Sequence, residues 1–244
     1  MRCRPRALNA LIAILFMIGS ACFALGTIPA YISAVGTVAD AITYFVGSVF
    51  FTSASFSQLV QSQSPEMAPD PGRGAGWRGA LVFRAVLGHD RGWLAAVTQF
   101  PGTLAFNVST GFAISSELTA SQSHHLVWVP DFVGSILFLV SSGFAIVAVG
   151  PVLEIESGLV SWQIAWLNMI GSVFFMASAV GSYVLPASSR EIDARWATLG
   201  TFLGAICFFA GAALMFPAWR QGLRIAAHGP SDRGQGAPAA ADLA

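Results

Sequence analysis

Five side chains in this sequence stand where polar chemistry inside a membrane is conceivable. Tyr44, Gln99, Asp131, Asn168 and Thr201 each lie three residues before a glycine in an apolar run. Polar groups at that depth are costly unless partnered, so they either line a solute path or hydrogen-bond between helices. Asp131 falls only a few residues from the expected start of its helix, and Asn, Gln and Thr commonly join helices. His124 and His125 are adjacent, with Glu117 nearby, but no third ligand sits at a recognisable spacing. They read as part of a solvated loop, not a metal site. Cys3, Cys22 and Cys207 form no Cys-x-x-Cys pair and suggest no disulfide framework. There is no phosphate-cradling glycine loop and no nucleophile–base pair, so no catalytic, cofactor-binding or metal residue is assigned.

The glycines belong to a pattern: Gly, a small residue, two variable positions, Phe at +4 and a small residue at +7. It occurs at Gly19 with Phe23, Gly47 with Phe51, Gly102 with Phe106, Gly134 with Phe138, Gly171 with Phe175 and Gly204 with Phe208. At about 100° per residue, positions −3, 0, +4 and +7 share one helical stripe. Helices gain little hydrophobic energy from one another in lipid, so small residues that let backbones approach drive association. The stripe therefore reads as a helix-packing seam, with Phe as knob and Gly as notch.

Composition fixes the environment of those helices. Charged residues make up 10% of the chain and apolar residues 55%, against about 25% charged for soluble domains. Six windows contain no Asp, Glu, Lys or Arg: 7–39, 41–65, 92–116, 132–153, 157–189 and 196–219. Each is long enough for a spanning helix of about 20 residues, and each carries one motif copy. The expectation is an all-α, polytopic integral membrane protein with six transmembrane helices. A first helical hairpin covers 1–60, a Pro/Gly-rich connector 61–92, a second hairpin 93–153, a third 157–219 and a disordered tail 220–244.

Arg2, Arg4 and Arg6 before an apolar run imitate a signal peptide, and Gly19-Ser20-Ala21-Cys22 approaches a lipoprotein cleavage box. The motif copy in this segment and the Gly at 19, where an aliphatic residue is usual, favour a retained first helix. Asp40 is the expected N-cap of the second helix. In the connector, 77–86 has the composition of a piece lying at the membrane surface or of a mobile loop. Pro101 should kink the third helix, and Pro130-Asp131 should open the fourth. Glu154 and Glu156 fall between the fourth and fifth. The fifth should end near Pro186, before a charged loop at 190–195, and the sixth near Trp219. With both termini cytoplasmic, ten arginines fall inside and two, Arg190 and Arg195, outside. Trp93, Trp128, Trp162, Trp166, Trp196 and Trp219 sit at expected helix ends, as an interfacial belt requires.

Motif glycines are separated by 28, 55, 32, 37 and 33 residues, which pairs the helices into three tandem hairpins repeated in parallel. The cores Phe45-Val-Gly47-Ser48-Val-Phe-Phe51 and Phe132-Val-Gly134-Ser135-Ile-Leu-Phe138 resemble the YrhK-like membrane domain of bacteria. That resemblance implies a repeated helical hairpin in a bacterial membrane and carries no assigned activity. The net charge is zero, so no field favours nucleic acid. Membrane lipids are the expected partners, with a protein partner or a second copy left open. The functional expectation is a non-enzymatic scaffold or binding bundle of the inner membrane. A small transporter or channel lined by Tyr44, Gln99, Asp131, Asn168 and Thr201 is the alternative. The topology is checked by labelling single cysteines on a Cys-free background. One at position 122 should react from outside intact cells, and one at 70 only after lysis; the opposite pattern means inversion.

Overall fold

The computed structural model describes residues 5–62, 91–115, 117–149, 160–185 and 190–227. The connector between 63 and 90, the turn with Glu154 and Glu156, Pro186 and the tail beyond 227 lie outside the described residues. The described chain is helical apart from one two-stranded ribbon. Its long helices are α1 (Pro5–Gly26), α3 (Thr37–Ser62), α4 (Arg91–Phe112), α6 (Val129–Val149), α7 (Val160–Gly181) and α8 (Ala194–Ala227).

Several boundaries differ from the sequence expectation. The first apolar window holds two helices, because Pro29 starts a separate seven-residue α2 (Pro29–Val35) after α1 stops at Gly26. Gly36, at φ 84°, ends α2 and turns the chain into α3. Asp40 therefore lies inside the first turn of α3, where the helix dipole favours it, and is not the cap. The expected loop around His124 is helical. Thr119 and Gln122 form a capping box that starts α5 (Ala120–Ser123), and a π-helical turn (His124–Trp128) carries the chain into α6. Pro130 has no N–H and crowds the carbonyl four residues back; the turn before it widens, with Val129 N–H donating to His124 O.

The charged loop before the last helix contains a ribbon of β1 (Val184–Leu185) and β2 (Arg190–Glu191). Asp193 then caps α8, its Oδ1 accepting from the N–H of Arg195 at 2.9 Å and of Trp196 at 3.3 Å. α8 continues past Trp219 to Ala227, so the first residues of the expected tail are helical; Leu223, Arg224, Ala226 and Ala227 are good helix formers.

Five helical segments are long and apolar enough to cross a membrane: Leu8–Gly26, Thr37–Ser62, Ala120–Val149, Val160–Gly181 and Ala194–Ala218. α4 has 22 residues but is diluted by Thr98, Gln99, Thr103, Asn107, Ser109 and Thr110. The outward surface of the bundle is aliphatic. At the +2 position of the motif, Val49, Leu104, Ile136, Val173 and Ile206 are all exposed. The next-door +1 residues, Ser20, Ser48, Thr103, Ser135, Ser172 and Ala205, are completely buried. Hydroxyls inside and aliphatic side chains outside is the arrangement of a protein whose solvent is hydrocarbon.

Each long helix packs chiefly on two others. The most extensive interfaces are α7–α8, α4–α6 and α1–α3; those of α1–α8, α3–α4 and α6–α7 close the set into a ring. Within each extensive pair the motifs interlock. A Cβ on Gly171 would come within 3.0 Å of the Phe208 ring, and one on Gly204 within 2.5 Å of the Phe175 ring. Gly19 meets Phe51 and Gly47 meets Phe23; Gly102 meets Phe138 and Gly134 meets Phe106. Backbones are close too, since Cβ atoms on Gly134 and Gly204 would approach Gly102 O and Gly171 O at 3.1 and 3.0 Å. Contacts step backwards along one helix as they step forwards along its partner, so each pair is antiparallel. Gly171→Leu should lower stability by about 1–3 kcal/mol through overpacking, whereas Val180→Leu, on the exposed surface, should change it little. Thermal unfolding in detergent reads both, and a Gly171→Leu protein as stable as wild type would exclude the seam.

Candidate functional site

The antiparallel register brings all six motif phenylalanines to the centre of the ring, where they form one cluster. Phe51, Phe138 and Phe208 make a triangle, with ring centroids 6.4, 5.9 and 5.6 Å apart. Phe23, Phe106 and Phe175 lie against it, Phe175 touching both Phe23 and Phe106 at 6.0 Å. Most contacts are edge-to-face, as ring quadrupoles prefer. Phe138 is 1% exposed. The axis of the bundle is thereby filled by aromatic carbon at mid-height.

On one side of this plug, where α1, α4 and α7 begin and α3, α6 and α8 end, all six helices line an open-mouthed cavity of about 370 Å³. Phe16 and Phe208 form apolar wall, and four carboxamides line it: Asn9, Gln58, Gln99 and Asn168. Among the described residues, no lining side chain is charged. Asn9 Oδ1 accepts from Gln61 Nε2 at 2.9 Å, which fixes its orientation. Asn168 fits because residue 211 is glycine: a Cβ there would lie 2.9 Å from Asn168 Oδ1. Gln58 Oε1 is buried without a hydrogen-bond partner among the described residues.

The five polar candidates are thus divided. Gln99 and Asn168 belong to the cavity; Tyr44, Asp131 and Thr201 precede their glycines on helices of opposite direction and lie beyond the plug. Two are committed to helix pairing. The Tyr44 ring covers Gly26 and meets Phe23 edge-on at 5.5 Å. Thr201 Oγ1 shares a 2.7 Å hydrogen bond with Ser178 Oγ, and its own hydroxyl also donates to Ala197 O. Asn107 donates to Thr52 Oγ1 across the α3–α4 interface. Further hydroxyls join neighbours around the ring, Ser48 with Thr110 and Ser142 with Ser172, each at 2.9 Å.

At the far end, His124 stacks on Trp128 and meets Tyr183 edge-on, while His125 Nδ1 hydrogen-bonds to Ser121 O. Trp128 Nε1 donates to Ala179 O, pinning the π turn to α7. The histidines belong to an aromatic end cluster, and among the described residues no three His, Cys, Asp or Glu side chains come together. Asn9 and Gln58 were not singled out in the sequence, although Gln58 is the next step, +11, of the stripe that begins at Gly47. Comparisons with family models, with curated proteins and with solved structures returned no match.

Proposed function

We propose that the chain is a non-enzymatic, six-span protein of the bacterial inner membrane, a closed bundle that holds a ligand in its cavity. On this reading α4 crosses the bilayer with the other five, its polar side chains facing α3 and α6. The three tandem hairpins are YrhK-like units, both termini are cytoplasmic, and the cavity opens toward the cytoplasm. The six-phenylalanine plug carries this reading, because it separates the polar positions into two groups instead of a continuous path. A channel needs water or solute contacts along its length, and a dry aromatic layer supplies none. The use of Tyr44 and Thr201 in helix pairing supports the same reading.

Flux through the purified full chain in proteoliposomes separates the readings. The bundle should leak protons, potassium ions and a small entrapped dye no faster than protein-free vesicles. Flux abolished by Asn168→Ala or Asp131→Asn, at unchanged melting temperature, would establish transport instead.

A further inference from the structure

At the end of the bundle away from the cavity, one helix connection differs from the other two. α4 passes to α6 through a stretch with Glu117, His124 and His125, and α7 to α8 through one with Arg190, Glu191 and Asp193. Between α1 and α3 the chain carries no Asp, Glu, Lys, Arg or His from Ala7 to Ala39. α2 lies in that stretch, outside the flanking spans Leu8–Gly26 and Thr37–Ser62, and none of its seven residues is buried. Ile28, Val35 and Val38 are exposed. We propose that α2 and the turns on either side of it are seated in the bilayer, at the boundary between acyl chains and headgroups. This seat adds a lipid contact outside the spans and rests on the membrane-embedded bundle above.

The exposed apolar surface has no charged break. Leu25 at the end of α1 is followed by Ile28, Val35 and Val38, and these by Ile42 and Val46 of α3, all exposed. They extend the aliphatic surface that the bundle turns outward along its length. The exposed residues of the stretch are aliphatic or small, without the Trp and Arg that anchor protein interfaces. Tyr31 is half-buried, and its hydroxyl shares a 2.7 Å hydrogen bond with Thr43 Oγ1, which holds α2 against α3. Polar groups are satisfied from within, as a low-dielectric solvent demands. The Thr27 and Ser33 hydroxyls donate to Ala24 O and Pro29 O, and the N–H groups of Thr27, Ile28, Tyr31, Ile32 and Gly36 all donate to nearby carbonyls. Depth follows from what is left over. The first turn of α3, like that of any helix, leaves N–H groups without a helical partner; the headgroup boundary offers them oxygen and the acyl interior does not. At 1.5 Å per residue α2 is about 10 Å long, too short to cross, so it can only lie at the interface.

Fluorescence quenching tests this seat on the full chain, freed of its native cysteines and reconstituted in vesicles of phosphatidylcholine and phosphatidylglycerol. A single cysteine replaces Val35, Val46 or Ser121 and carries an environment-sensitive dye. Val46 faces outward within its span, and Ser121 is exposed at the neighbouring connection. The dye at 35 should emit to the blue of the dye at 121. A lipid with a nitroxide near its headgroup should quench it severalfold more than the dye at 121, and iodide on both sides of the vesicle severalfold less. Val38→Cys is the second position should Val35→Cys fail to fold. Equal quenching at 35 and 121 by both agents would overturn the proposal, while strong quenching at 46 by a mid-chain nitroxide would leave the embedded bundle standing. Protection of 35 from iodide and from lipid nitroxide alike would also overturn it, and would assign this face to a second copy of the chain. Failure of the mid-chain nitroxide at 46 would overturn the embedded bundle itself.

Discussion

The whole arrangement depends on two backbones coming close where paired glycines face each other. In hydrocarbon, one apolar helix gains little from leaving lipid for another, so contact must come from dispersion at short range and from hydrogen bonds. A side chain at Gly171 or Gly204 would hold α7 and α8 apart, and the Phe of each helix could not then lie over the glycine of the other. The same reciprocal fit recurs in α1–α3 and α4–α6. Because every Phe reaches across its own pair at the same level, all six converge on the axis. One local rule, repeated six times, thus generates both the seam and the plug.

The hydroxyls are a consequence of the same approach. The residue after each motif glycine is completely buried, and five of the six are Ser or Thr. Ser48 bonds to Phe45 O and Thr110, and Ser172 to Asn168 O and Ser142; Thr103 bonds to Phe100 O within its own helix, and Ser20 and Ser135 are buried without a partner among the described residues. Ser48 and Ser172 tie pair to pair, α3 to α4 and α6 to α7, where the glycine contact ties helix to helix. On the side of the plug where α1, α4 and α7 begin, α1, α3, α4 and α7 carry amides facing small residues of α6 and α8 such as Ala145, Gly211 and Ala212, and the cavity forms there.

How much of this was legible depended on whether the cause was local. The six motif copies could be found because periodicity survives in one dimension. The −3 residues share the stripe by periodicity, but their separation into two groups comes from helix direction. That is why Gln99 and Asn168 meet while Tyr44, Asp131 and Thr201 lie beyond the plug. Asn9 and Gln58 were overlooked because they lie far along the stripe from their glycines. The π turn has no signal of its own in the sequence: Pro130 suits a helix start, while the Thr119–Gln122 capping box that begins the helical stretch lies eight residues or more upstream. α4 looked like its neighbours by charge alone; its amides and hydroxyls set it apart by polarity.

A double-mutant cycle on Gly204 and Phe175 is the most direct test of this packing. Gly204→Ala alone should destabilise the bundle by about 1–3 kcal/mol, because its methyl meets the Phe175 ring. In a Phe175→Ala background the ring is gone, and the same change should cost at least about 1 kcal/mol less, a coupling typical of residues in contact. Additive costs, with Gly204→Ala equally harmful whether or not Phe175 is present, would contradict the interlocked seam on which the rest of the structure is built.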